Sequence, residues 1–143
     1  MPEPKLTIHV DGGARGNPGP AAAGVVITDA AGHTLFAAGY FLGRATNNVA
    51  EYQGLIRGLQ QGRLLGASEV EVLSDSELLV MQMTGKYRVK ADHLVDLYWQ
   101  ARQAAGEFER CSFRHVRREF NKQADTMVNQ ALDAKASVGD AGS

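Results

Sequence analysis

The chain has 143 residues, of which 44% are hydrophobic and 22% charged, and its formal net charge is −1. This length predicts one domain over residues 1–143, and the near-neutral charge argues against a broad positive surface for nucleic acid. The lack of any apolar run of about 20 residues argues against membrane insertion, and a single cysteine excludes an internal disulfide framework. Because no signal peptide is recognisable either, we expect a cytoplasmic protein, and nothing requires more than a monomer.

The first third of the chain has the pattern of three strands. Leu6, Ile8 and Val10 alternate with polar residues, which predicts a strand over 5–11 with one buried face. The glycine- and proline-rich stretch 12–20 predicts a loop. Two further strands are expected over 22–29 and 34–41, joined by a short turn as in a hairpin.

The period then changes to three and four residues. Val49, Tyr52, Ile56 and Leu59 predict an amphipathic helix over 49–65, in which three glycines at four-residue spacing suggest a close packing contact. The remaining elements are predicted as a strand over 69–73, helices over 76–84 and 92–106, a strand over 111–116 and a helix over 122–135. We expect an ordered core of about 5–135 and a frayed tail over 137–143. This order predicts an α/β domain, with helices covering a mixed sheet.

Four carboxylates stand at the ends or starts of these elements: Asp11, Glu51, Asp75 and Asp125. Each alone has an ordinary explanation in helix dipoles or turns. If their elements meet at one edge of the sheet, the carboxylates repel one another unless cations share the site. Oxygen ligands suit Mg²⁺ or Mn²⁺, and two such ions about 4 Å apart can promote cleavage of a phosphodiester.

The sequence around these acids contains four short motifs in a fixed order. They are DGGARGNPGP at 11–20, TNNVAE at 46–51, SDS at 74–76 and NKQAD at 121–125. In this order they closely resemble the type 1 ribonuclease H family, in a short bacterial or archaeal form, and the resemblance covers about 5–134. It implies the ribonuclease H-like fold, a five-stranded mixed sheet flanked by helices. It also implies that the four acids are catalytic ligands of two Mg²⁺ or Mn²⁺ ions.

The resemblance implies an endoribonuclease that hydrolyses the RNA strand of an RNA–DNA hybrid and leaves 5′-phosphate and 3′-hydroxyl ends. Such an enzyme must read 2′-hydroxyls across a wide minor groove, where small residues and side-chain amides are suitable contacts. The candidates are Gly12, Gly13, Asn17, Asn47 and Asn48. The same residues also suit tight turns and helix capping, and both interpretations stay open here.

Phosphate contacts form a second group of candidates. In related enzymes an Arg and a Thr at the positions of Arg44 and Thr46 grip a phosphate of the DNA strand. The basic, Trp-containing protrusion of many family members is reduced here to GKYRVK at 85–90, and the loop His of many members is absent. Arg118 and Glu119 are the polar residues nearest its place, and Arg118 is predicted to bind substrate. Trp99 is predicted to be a core residue.

Two other functions are compatible with the fold. One is a nuclease for another nucleic acid, such as double-stranded RNA or a DNA junction, and whether double-stranded RNA is also cut stays open. The other is a binding module without activity. Retention of all four acids argues against the binding module, because a carboxylate cluster is costly without cations.

Overall fold

The structure is a computed structural model that describes residues 4–142. It contains a six-stranded sheet in the order β5-β4-β1-β2-β3-β6. The strands are β1 (Lys5–Ala14), β2 (Gly19–Thr28), β3 (Thr34–Ala45), β4 (Glu69–Ser74), β5 (Arg110–His115) and β6 (Val138–Gly139). The helices are α1 (Asn47–Leu64), α2 (Glu77–Met83), α3 (Asp92–Ala105) and α4 (Lys122–Ala134), with short 3-10 turns at Arg118–Phe120 and Asp140–Gly142.

The predicted α/β class and mixed sheet are confirmed. β1 runs antiparallel to β2 and parallel to β4, and β4 runs parallel to β5. Leu6, Ile8 and Val10 are buried as their alternation predicts. No helix within residues 4–142 has the length and apolar character to cross a membrane.

The predicted five-stranded sheet is wrong, because the tail supplies a sixth strand. β6 pairs antiparallel with β3 at Ala38 and Gly39. Two side chains hold the tail in place: the Ser137 hydroxyl accepts from the Phe41 amide at 3.0 Å, and the Asp140 carboxylate accepts from the Ala37 amide at 2.9 Å. The tail was expected to fray over 137–143, but residues 138–142 form regular structure. Residue 143 lies outside the described residues.

The predicted loop over 12–20 is also wrong in extent. β1 continues to Ala14 and β2 begins at Gly19, with Gly12 paired to Ala23. A Cβ added at Gly12 would overlap the backbone of Ala50 and Glu51. Helix α1 therefore approaches the strand so closely that only a residue without a Cβ fits at this position.

The main core lies between the sheet and the helices α1, α2 and α3. The three glycines of α1 face the sheet as predicted: added Cβ atoms would lie 2.7 Å from the Asp11 carbonyl for Gly54, and 2.8 and 2.9 Å from Ile8 for Gly58 and Gly62. A smaller cluster under α4, formed by Ala22, Val128, Ala131 and Leu132, covers the opposite face. These two contacts place the first turns of α1 and α4 beside the end of β1.

Candidate active site

The four acids predicted from the sequence line one cleft. β1 and β4 are parallel, and Val10 of β1 is paired with Ser74 of β4. The next residues, Asp11 and Asp75, therefore lie at the same edge of the sheet. Glu51 is brought over this edge by the packing of α1 on Gly12, and Asp125 lies in the first turn of α4. The cleft has a volume of about 620 Å³ and is lined by all four carboxylates.

The fold raises the pKa values of two of these acids, Asp11 and Glu51. Burial and the carboxylates of Asp75, Asp125 and Glu51 together raise the pKa of Asp11 to about 8, although the hydrogen bond from the Gly12 amide opposes this. Burial likewise raises the pKa of Glu51 to about 7, although a hydrogen bond with Ser76 opposes this. A half-buried acid cluster with raised pKa values attracts cations, because a nearby positive charge restores the ionised form.

The donor set of the cleft fits a hard divalent cation, since carboxylate oxygens are the ligands that Mg²⁺ and Mn²⁺ prefer. Within residues 4–142, however, no group of three or more acidic, histidine or cysteine side chains is arranged to hold a metal ion by itself. A bound ion would therefore complete its coordination with water or substrate oxygens, which is the usual condition of Mg²⁺ in phosphate-processing sites.

A buried asparagine fixes the position of the last acid. The side chain of Asn121 is 1% exposed, and its Nδ2 donates to the Val10 carbonyl at 2.8 Å. This bond joins the start of α4 to the residue before Asp11. No pattern in the sequence indicates this role for Asn121, although it begins the motif that ends at Asp125.

Five of the predicted substrate contacts line the cleft: Gly12, Gly13, Asn47, Asn48 and Arg118. Asn17 does not, but its Oδ1 accepts from the Asn47 backbone amide at 3.1 Å. Asn47 in turn accepts from the Ala14 amide through its Oδ1 at 2.8 Å. The two asparagines therefore use their oxygens to tie the 15–18 turn and β1 to the start of α1.

Arg44 and Thr46 lie outside the cleft lining. Arg44 is exposed near the end of β3, where it pairs with Pro20. The Thr46 hydroxyl accepts from the Val49 amide at 3.2 Å, which makes Thr46 the N-cap of α1. Helix capping was considered for Asn47 and Asn48, but Thr46 performs it, and a phosphate contact by Arg44 or Thr46 stays a prediction.

The cleft is also lined by residues that the sequence did not indicate as candidates, among them Arg15 and Asn129. Arg15 lines it and forms an ion pair of 2.7 Å with Asp133 of α4, and Asn129 lines it one helical turn after Asp125. Arg15 was visible in the first motif, but a surface arginine in a glycine-rich segment gives no signal of its own.

Comparison with known proteins places this chain in a family. Residues 9–131 match the family described as reverse transcriptase-like. The chain is 49% identical over 133 residues to the bifunctional protein Rv2228c of Mycobacterium tuberculosis, covering 92% of this chain and 36% of that relative's length. The chain thus spans about a third of the curated relatives that it matches first.

Two solved structures are similar over nearly the whole chain. RNase H1 from the halophilic archaeon Halobacterium salinarum superposes with a TM-score of 0.89 at 38% identity, covering 91% of this chain and 98% of that one. LC11-RNase H1 in complex with an RNA/DNA hybrid superposes with a TM-score of 0.87 at 45% identity, covering 91% and 98%. The fold and the acid-lined cleft define a ribonuclease H-like domain. The chain belongs to the reverse transcriptase-like family, within which its close relatives are named ribonuclease H1.

Proposed function

We propose that this chain is a metal-dependent endoribonuclease that hydrolyses the RNA strand of RNA–DNA hybrids and leaves 5′-phosphate and 3′-hydroxyl ends. The observation that carries the proposal is the convergence of Asp11, Glu51, Asp75 and Asp125 on one cleft. The structure of LC11-RNase H1 with an RNA/DNA hybrid, at 45% identity, supports the choice of substrate.

The four carboxylates would hold two Mg²⁺ or Mn²⁺ ions. When bound, the two cations supply Lewis acidity for the attacking water and the leaving oxygen of the phosphodiester. The chain itself contributes the position of each carboxylate and a wall of small residues at Gly12 and Gly13. It also contributes two arginines on the rim, Arg15 and Arg118, whose charge opposes the repulsion between the acid cluster and an incoming phosphate.

Selection of the hybrid would come from the asparagines at the start of α1. The oxygens of Asn17 and Asn47 are engaged within the protein, so their amide groups are the parts available for substrate. An amide NH₂ donates to the acceptors that every base pair presents in the minor groove, which gives contact without sequence preference. The 2′-hydroxyls of the RNA strand then distinguish a hybrid from double-stranded DNA.

A cleavage assay with defined substrates tests the proposal. End-labelled hybrid, double-stranded RNA and double-stranded DNA of one sequence would be incubated with the protein and a series of Mg²⁺ and Mn²⁺ concentrations. We expect cleavage of the RNA strand of the hybrid, dependence on the cation, and products whose 5′ ends accept a kinase label only after phosphatase treatment. Cleavage of double-stranded RNA at the same rate would extend the substrate range, and equal cleavage of double-stranded DNA would contradict the proposal.

The variant Asp75→Asn separates metal chemistry from folding. It removes a ligand charge but keeps the side-chain shape, so activity should fall by more than about two orders of magnitude while the circular dichroism spectrum is unchanged. Asp96→Asn, an exposed change on α3 outside the cleft, is the matched control and should retain full activity. Substantial activity of Asp75→Asn at saturating Mg²⁺ would reject the assignment.

A further inference from the structure

We propose that the open edge of β5 binds an extended acidic segment of a partner protein as an added strand. β5 is the last strand on its side of the sheet, and within residues 4–142 no strand pairs with its outer edge. An open edge presents unpaired N–H and C=O groups that an extended peptide can complete. This inference is independent of the proposed nuclease activity.

The register of β5 identifies the groups on the open edge. In a parallel ladder, the N–H and C=O of alternate residues point to the same neighbouring strand. The Val116 amide donates to the Ser74 carbonyl at 2.9 Å, so the even-numbered residues of this segment face β4. The backbone groups of Cys111, Phe113 and His115 therefore point away from the sheet.

A groove of about 520 Å³ lies beside this edge and supplies an apolar contact. It runs between β5 and the ends of α2 and α3, and its lining includes Met83, Ala105, Cys111 and Phe113. Cys111 and Phe113 pack on the main core but remain half-buried, because no side chain of residues 4–142 fills the groove beside them. An apolar side chain from an added strand would complete their burial.

The charges around the edge favour an acidic occupant. Arg110 and Arg114 are exposed on β5, and Arg102 is the one charged side chain in residues 4–142 that lines the groove. Arg114 has an ion pair of 3.4 Å with Glu71, but both side chains are solvent-accessible, so this pair neutralises it weakly. Glutamates at alternate positions of the added strand would lie near the two arginines.

The same charges disfavour a second copy of this chain. Antiparallel pairing of two β5 strands about Ser112 would place Arg110 of each copy opposite Arg114 of the other, and like charges in directly opposed positions are destabilising. Single-stranded nucleic acid would complement the arginines but would leave the strand amides of Cys111 and Phe113 unpaired. An acidic, extended peptide satisfies both features.

The probe is a fluorescein-labelled seven-residue peptide that alternates glutamate with valine or leucine, added to the full chain and followed by anisotropy. We expect binding that weakens with salt, and amide chemical-shift changes in 15N-labelled protein concentrated at residues 111–115. A peptide with lysine in place of glutamate should bind at least tenfold more weakly. So should a peptide with proline at alternate positions, which cannot donate to the strand.

Two variants of one exposed residue locate the contact. Arg110→Glu should weaken peptide binding at least tenfold, and Arg110→Lys should stay within about twofold of the unmodified protein. Hybrid cleavage, measured on the same samples, should be unchanged in both. The proposal is overturned by equal affinity for the lysine peptide, by the absence of binding at millimolar peptide, or by shifts centred on the cleft. A concentration-dependent dimer through β5, or displacement of the peptide by single-stranded DNA, would overturn it as well.

Discussion

The Nδ2 atom of Asn121 lies 2.8 Å from the Val10 carbonyl, although 111 residues separate them in the chain. The bond is buried, and it joins the residue before Asp11 to the residue before α4. Asp125, in the first turn of that helix, is thereby held at the cleft that Asp11 lines. Geometry of the acid site thus depends on an amide that is not itself in the cleft lining.

Asn121→Ala should therefore affect both stability and activity. Loss of this buried hydrogen bond costs about 1 kcal/mol, measurable by chemical denaturation. We also expect a lower kcat, whereas the affinity of the variant for the hybrid should change little. Asn129→Ala, which removes an exposed amide bonded within α4, is the control and should change stability little. A stable Asn121→Ala protein with full kcat would show that the bond does not position the site.

The raised pKa of Asp11 predicts how the cation-free protein responds to pH. Its ordinary value is 3.8 and its value in the fold is about 8. Between these values the unfolded chain is ionised while the fold resists ionisation, so the free energy of unfolding should fall as pH rises from about 4 to 8 and then level off. The raised pKa of Glu51, to about 7, acts in the same direction.

Asp11→Asn should remove part of the destabilisation that ionisation of the buried acids causes. In EDTA, we expect the variant to be more stable than the unmodified protein by about 2 kcal/mol at pH 8 and by less at pH 5, while cleavage is lost. Thermal unfolding at both pH values, with and without Mg²⁺, measures this, and Asp96→Asn serves as the control. A variant that is less stable at pH 8 would show that the Asp11 carboxylate is not under electrostatic strain.

The two polar groups of the Asn47 side chain, its Oδ1 and its NH₂, have different roles. Its Oδ1 accepts from the Ala14 amide, whereas its NH₂ lies at the cleft. Asn47→Asp keeps an acceptor for Ala14 and removes the donors, so we expect KM for the hybrid to rise about tenfold with the melting temperature nearly unchanged. Asn47→Ala removes both the Oδ1 and the NH₂, so the free energy of unfolding should also fall by about 1 kcal/mol.

The added charge of Asn47→Asp needs its own control, because it also repels phosphate. Asn129→Asp places the same charge in the same cleft at another position. If both variants raise KM equally, charge accounts for the effect and the Asn47 donors are not used. A larger effect at Asn47 assigns the difference to the lost donors.

Local patterns predicted the elements that carry the site. The alternation of Leu6, Ile8 and Val10 and the helical period from Val49 onward depend on neighbours within a few residues, so they are legible in the sequence. Convergence of the acids was only a condition at that point; it is met because Asp11 and Asp75 come directly after the last paired residues of the parallel strands β1 and β4. The assignment of metal ions and substrate to this cleft still comes from resemblance and stays a prediction.

Features set by distant contacts could not be predicted in this way. β6 has two residues and no strand pattern, and it forms because Ser137 and Asp140 bind backbone amides of β3. The glycines at 12 and 13 indicated a loop, but pairing with β2 extends the strand through them. Trp99 was predicted as core and is 62% exposed, because Leu94 and Ala101 form the buried face of α3 and Trp99 lies on another face.

Arg118 and Glu119 are the polar residues nearest the place of the family's loop His, and only Arg118 was predicted to bind substrate; the structure also separates them. Both belong to the 3-10 turn Arg118–Phe120, but Arg118 lines the cleft while Glu119 is exposed and outside its lining. A guanidinium at the rim of an acidic cleft presents a planar fork of donors and no acceptor, which suits a phosphate of the substrate. Binding, rather than proton transfer, is therefore the expected contribution.

Arg118→Ala should raise KM for the hybrid by about tenfold and flatten the log–log salt dependence of binding by about one unit, because one phosphate contact is lost. Arg118→Lys keeps the charge but not the two-pronged guanidinium, so its KM should lie between those of Arg118→Ala and the unmodified protein. Glu119→Ala, the neighbouring control, should match the unmodified protein in both steady-state and single-turnover rates. If Glu119→Ala instead slows the steady state while sparing a single turnover, Glu119 assists product release and the assignment to Arg118 fails.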